Sequence, residues 1–244
     1  MNKDTLIFGI YPVLEAIKSN TYIDKLFVQK GITNPKIDEL VKFCEVNSVT
    51  INYVPIEKLN QLTRANHQGI VAVISPIGFV NFEKIVEETL VKKKAPIFLI
   101  LDQISDVRNF GAIIRTAECT GVDAIIIQKK GGAPISGDTV KTSAGAIFKI
   151  PICKVDHIKD AIFYLKGSGV TVVGATEKAA KNIYAINLNI PIAIVMGSEG
   201  TGITKSVISL LDEQASLPMY GEINSLNVSV ACGAFLYEVV RQRI

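Results

Sequence analysis

Three stretches of the 244-residue sequence hold residue types that chemistry needs and a plain core does not. The first, Asp102 to Ala117, carries Asn109 and Arg115 six residues apart, with apolar Ala112, Ile113, Ile114 and Ala117 beside the arginine. A guanidinium among apolar neighbours is costly to leave without a partner, so Arg115 is either a working cation or an arginine on a solvated helix face. The second stretch, Ile192 to Ile203, runs from an apolar block into Gly197-Ser198-Glu199-Gly200-Thr201-Gly202. Glycines let a backbone turn sharply and come close to a ligand, although a plain strand-to-helix turn uses them too. Glu199 between them is a carboxylate with no helix face to belong to. The third stretch is Leu217-Pro218-Met219, Gly221 and then Ser225-Leu226-Asn227-Val228-Ser229-Val230-Ala231. Asn227 is suited to cap the helix that follows, which puts Ser225 and Asn227 at a helix mouth with donors facing outward.

These groups need elements to hold them. Continuous apolar runs at Ile97–Leu101, Ala124–Ile127, Val170–Val173 and Ile192–Val195 read as strands covered on both faces. Helical patterns at Ala112–Cys119, His157–Lys166 and Lys205–Leu211 separate them. Buried strands alternating with helices predict an α/β fold with a mostly parallel sheet, and ligands collect beyond the carboxyl ends of such strands. Before this region, helices are predicted at residues 9–19, 35–47 and 56–62, with strands at 25–29, 49–53 and 69–74. That alternation makes a small α/β unit over residues 1–75. Ser75-Pro76-Ile77-Gly78 punctuates the chain, so residues 76–94 read as a linker with a connecting helix at Phe82–Lys92, and residues 95–244 as the larger domain.

Composition narrows the function classes. A hydrophobic content of 48% is ample for a buried core, while the apolar runs are too short to span a bilayer, so no membrane role and a cytoplasmic location are expected. Cys44, Cys119, Cys153 and Cys232 lack zinc-site spacing or a disulfide pattern, and no metal is expected. The net charge of +3 is small, though Lys92-Lys93-Lys94, Lys129-Lys130 and the spread Arg108, Lys141, Lys149, Lys154 would follow a phosphate backbone if they shared a face. The glycine loop is neither a Walker A loop nor a dinucleotide fingerprint, which argues against a nucleotide-dependent oxidoreductase.

In order, Asn-x-Gly-x-x-x-Arg from Asn109, Gly-Ser-Glu-Gly-x-Gly from Gly197, and Leu-Pro-Met followed by Ser-Leu-Asn-Val-Ser-Val-Ala closely resemble the three motifs of the SpoU branch of the SPOUT RNA methyltransferases. The N-terminal stretches Phe8–Ala16 and Asn66–Ile70 are similar to signatures of the ribosomal-protein-like domain in guanosine 2′-O-methyltransferases of large-subunit ribosomal RNA. Val107-Arg108 departs from the family, which often has proline first. The resemblance covers the whole chain and implies a trefoil-knotted catalytic domain, a small N-terminal α/β RNA-binding domain and a homodimer.

The resemblance also implies S-adenosylmethionine as cofactor, held by Thr176, Met196, Gly197, Gly202, Leu217, Met219 and Leu226. It makes Arg115 the leading group to act on a ribose 2′-hydroxyl, with Asn109, Glu199, Ser225 and Asn227 positioning the arginine and the nucleotide. The high intrinsic pKa of arginine favours orientation and charge stabilisation over base catalysis. The implied substrate is RNA, first of all a guanosine of 23S ribosomal RNA. Transfer RNA methylation, ribosome-directed antibiotic resistance and a non-catalytic RNA-binding or ribosome-assembly role are the alternatives. His67, in the RNA-domain signature, either contacts RNA or braces a turn, and His157 reads as a surface residue.

Overall fold

The computed structural model describes residues 6–47, 49–222 and 225–244. The chain divides into two units, Met1–Gly78 and Phe79–Ile244.

In the first unit the elements run β1 (Leu6–Phe8), α1 (Ile10–Lys18), β2 (Ile23–Gln29), α2 (Pro35–Val46), β3 (Thr50–Val54), α3 (Ile56–Leu62) and β4 (Ile70–Ile74). The sheet order is β1-β4-β2-β3, with β4 antiparallel to both neighbours and β2 parallel to β3. Helix α2 starts where the sequence predicts, because Asn34 accepts the Lys36 N–H at 3.0 Å and Pro35 loses nothing by lacking its own. Val13, Leu26, Ile37, Leu40 and Ile70 close the core. His67 is buried, and its role is in a turn: Nδ1 accepts the Gly69 N–H at 3.1 Å while Nε2 faces Asn60 Oδ1 at 3.0 Å. The turn itself needs Gly69, whose φ is +80° and where any Cβ would lie 2.3 Å from Ile32.

The second unit begins with α4 (Phe82–Lys92) and continues β5 (Ile97–Asp102), α5 (Val107–Cys119), β6 (Ala124–Gln128), α6 (Gly137–Thr142), β7 (Ile152–Val155), α7 (Ile158–Gly167), β8 (Thr171–Ala175), β9 (Ile192–Gly197), α8 (Lys205–Ile208), β10 (Glu213–Ala215) and α9 (Val228–Arg243). Helix α4, read from the sequence as a connector, is packed into this unit: Phe82 and Val86 join its core. The sheet is wholly parallel, in the order β10-β8-β9-β5-β6-β7. Every residue of β5 and β9 is buried, which is why their sequences read as unbroken apolar runs. The chain therefore walks from β5 to β7, crosses to β8, and returns to insert β9 between β8 and β5.

Helix α8 stops at Ile208, short of the predicted Leu211. The sheet edge claims the residues beyond it. The Leu210 carbonyl accepts Lys166 Nζ at 2.9 Å, and Asp212 exchanges backbone and side-chain bonds with Val172 on the way into β10. At the end of α9 the Arg243 guanidinium donates to the carbonyls of Leu188, Ile190 and Ala95, and Gln242 bonds Ile186 and Leu188. The buried Glu238 takes two hydrogen bonds from Arg241, which hold its carboxyl below the usual range against the opposing effect of burial.

Two packing features can be tested directly. Gly111 lies inside α5 where a Cβ would stand 2.0 Å from Thr142 Oγ1 and 2.8 Å from the Thr142 backbone carbon. Alanine is the better helix former, but here the overpacking outweighs propensity. Gly111→Ala should lower stability by about 1–3 kcal/mol in urea unfolding. Burial pushes the thiol of Cys44 up to about 11 and those of Cys153 and Cys232 up to about 12, leaving Cys119 as the exposed thiol. Native protein should therefore titrate one thiol with a chromogenic disulfide reagent at neutral pH, and four after denaturation.

Candidate active site

Strands β5 and β9 are neighbours with Asp102 opposite Gly197, so the loops that follow them leave the sheet side by side. Asp102 is buried and its Oδ2 accepts the Thr204 N–H at 2.8 Å, tying the start of one loop to the end of the other. The loop after β9 folds back on itself: Ser198 and Gly202 exchange two backbone hydrogen bonds, at 2.9 and 3.2 Å. Position 197 must be glycine for this, because a Cβ there would fall 2.0 Å from the Gly202 carbonyl carbon.

The third loop arrives at the N-terminus of α9. Asn227 Oδ1 accepts the backbone N–H groups of Ser229 at 3.0 Å and Val230 at 3.4 Å, and also the Ser229 hydroxyl at 2.6 Å. This is the cap that the sequence predicts. The amide nitrogen of the same side chain donates to Asn109 Oδ1 at 2.9 Å and to Glu199 Oε1 at 2.6 Å. One carboxamide thus joins residues from all three stretches.

Two cavities flank this junction. The first is lined by all seven of Thr176, Met196, Gly197, Gly202, Leu217, Met219 and Leu226, together with Glu199 and Ser225. The second is lined by Gln103, Ser105, Asp106, Asn109 and Gly131. They share the Ser198–Thr201 loop and Val228 as a common wall. Sequence reasoning missed the part played in the first cavity by Glu177, Lys178, Ala215, Ala231 and Phe235. Their types carry no signal, and only the position of β8, β10 and α9 brings them in. Asp102 was not singled out either, although a carboxylate ending an apolar run was the signal for it.

Arg115 is not joined to the cluster. Helix α5 starts at Val107, capped by Asp106, which accepts the N–H groups of Arg108 and Asn109 at 2.9 and 2.8 Å. A start close to Asn109 would have put Arg115 in the second turn; it is in the third, exposed, with no hydrogen bond or ion pair among the described residues. Six positions along a helix rotate it about 240° from Asn109, which explains the separation. No cluster of metal-ligating side chains occurs among the described residues, and none of their helices is long and apolar enough to cross a membrane.

The Asn227 junction can be dissected by two substitutions. Asn227→Ala should cost about 1 kcal/mol in urea unfolding through loss of the cap. Asn227→Asp keeps the capping acceptor but sets a second carboxylate against Glu199. Its deficit relative to the native protein should shrink as the pH is lowered, because protonating either carboxyl removes the repulsion and restores a donor. A deficit that does not change with pH would show that the Glu199 contact is energetically idle.

Residues 96–237 match the model of the SpoU rRNA Methylase family, and residues 6–79 match the model for RNA 2′-O ribose methyltransferase substrate binding. A Staphylococcus aureus (strain MSSA476) protein named "Putative TrmH family tRNA/rRNA methyltransferase" is 36% identical over 241 residues, covering 99% of this chain and 97% of its own. Among solved structures, the AdoMet-bound rRNA methyltransferase of Sinorhizobium meliloti is similar in fold, with a TM-score of 0.63 and 24% identity over 98% of this chain and 88% of that one. The A. aeolicus TrmH/SpoU tRNA modifying enzyme is 29% identical with a TM-score of 0.56, over 66% of this chain and 80% of its own. With a family model matched over more than half of its length and a full-length relative at this identity, the chain belongs to the SpoU rRNA methylase family.

Proposed function

We propose that this protein is an S-adenosylmethionine-dependent methyltransferase acting on a ribose 2′-hydroxyl of RNA, and that its target is a guanosine of 23S ribosomal RNA. The observation that carries the reading is the Asn227 carboxamide, which binds Asn109 and Glu199 at the wall between two cavities. A site held by hydrogen bonds between three distant segments is the preorganisation that catalysis uses. A protein that only bound RNA would have no reason to hold S-adenosylmethionine, so titration calorimetry with the cofactor separates the two readings.

The first cavity fits the cofactor. Met196, Leu217, Leu226 and the buried Phe235 supply apolar wall for an adenine, and at Gly200 a Cβ would meet nothing within 4 Å, so the loop backbone is open to a ligand. Thr176, Gly197, Gly202 and Met219 complete the binding surface. When bound, S-adenosylmethionine supplies a methyl group already activated on a sulfonium. The protein must then orient the ribose hydroxyl and stabilise charge as its proton passes to an RNA phosphate. Arg115 does this through its fixed positive charge, and Asn109, Glu199, Ser225 and Asn227 hold the nucleotide. Arg115 has no partner among the described residues of its own chain, which leaves it available to a site formed with a second copy. Val230 and Tyr237 expose apolar surface on α9, the helix that Asn227 caps, in keeping with a homodimer. The enzyme works in the cytoplasm.

What supports ribosomal over transfer RNA is the N-terminal signature, Phe8–Ala16 and Asn66–Ile70, which resembles that of the guanosine 2′-O-methyltransferases of large-subunit ribosomal RNA. Purified protein given tritiated S-adenosylmethionine and RNA from a strain lacking the gene should label one ribosomal ribose, mapped by primer extension. Arg115→Ala should lower transfer at least about 100-fold with an unchanged melting temperature. No transfer to any RNA would exclude the enzyme reading, and label confined to transfer RNA would exclude the ribosomal target.

A further inference from the structure

Among the described residues, four that are not glycine have a left-handed backbone: Asn20, Gln68, Gln103 and Ala144. Asn20 and Ala144 each follow a helix C-cap, where this conformation is the ordinary way to end a helix. Gln68 is held by its side chain, whose Oε1 accepts the Ile10 N–H at 3.0 Å. Gln103 has neither reason. It follows β5 directly with φ at +60°, is exposed, and its carboxamide has no hydrogen-bond partner among the described residues. Glycine would take this backbone without strain, so the side chain itself needs an explanation.

That side chain lines the second cavity. Other polar groups there are also uncommitted among the described residues: the Ser105 hydroxyl, and Asn109 Nδ2, since Asn227 uses only the Asn109 oxygen. A carboxamide offers N–H donors and a carbonyl acceptor in one plane, the pattern that pairs with the donor–acceptor edge of a nucleobase. The cavity shares the Ser198–Thr201 wall with the first one, so a nucleotide whose ribose sits at the junction can reach the second cavity, which Gln103 lines, with its base.

We infer that the second cavity receives the unstacked base of the nucleotide being methylated and that Gln103 reads its Watson–Crick edge. The inference rests on the proposed ribose methylation and adds the residue that selects the base.

The test is Gln103→Gly, which relieves the backbone and deletes the reader. The variant should melt at the native temperature or above it and bind S-adenosylmethionine as tightly as the native protein. On a transcript carrying the site mapped with the native enzyme, its kcat/KM should fall about tenfold or more. Its preference for that transcript over one with the target base replaced should fall by a similar factor. The preference compares two RNAs on one enzyme preparation, so partial unfolding scales both rates and leaves the ratio intact. A glycine variant with native kcat/KM and native base preference would overturn the inference. Failure of the native enzyme to methylate any RNA is a different result; it would remove the proposed function and this inference with it.

Discussion

The carboxamide of Asn227 is the point on which the site depends. Its oxygen satisfies the first turn of α9 and its nitrogen reaches Asn109 and Glu199, so a single planar group is both a helix cap and a clasp between loops. Aspartate would cap the helix but repel Glu199, and serine is too short to span the loops. The choice of asparagine follows from having to donate and accept at once. The clasp uses both ends of the carboxamide, so the chain's own hydrogen bonds join the three stretches.

Beneath the clasp, the sheet supplies the rigidity. The central strands β5 and β9 are buried along their whole length, and Asp102 and Gly197 stand opposite each other where they end. From there the Asp102–Thr204 bond and the glycine contact at 197–202 hold the loop after β9 close to the sheet. The wall common to the two cavities is thus anchored to the two buried central strands. At the other boundary of the first cavity, the described residues 217–222 and 225–226 belong to no strand or helix.

Much of this was legible in the sequence, for identifiable reasons. The strands at residues 97, 124, 171 and 192 declared themselves because burial on both faces leaves an unbroken apolar run, α2 because Pro35 suits a helix start, and α9 because Asn227 is a cap. The short strands β1, β7 and β10 were not read. Three or four residues carry no period, and β10 exists because Asp212 docks on Val172. For the site, the seven cofactor residues proposed from the family resemblance all line one cavity. The resemblance could not reveal that Asn227 touches Asn109 and Glu199, nor that Arg115 stands apart from them, because both depend on the helical phase of α5 and on where Asp106 starts it. Nor is the left-handed backbone of Gln103 marked by its residue type.

The place of β9 between β8 and β5 has a consequence for synthesis of the chain. Strand β5 finds its partner on that side only when residues 192–197 exist, and Asp102 waits for Thr204, a separation of 102 residues. The first unit closes its core with residues that are all made by position 74. The second unit therefore emerges from the ribosome with its central pairing incomplete until late in translation, while the preceding unit has had everything it needs for many seconds. Through that interval β5 carries an apolar edge in search of a partner, which makes the second unit the place where chaperone dependence and temperature-sensitive folding defects should concentrate.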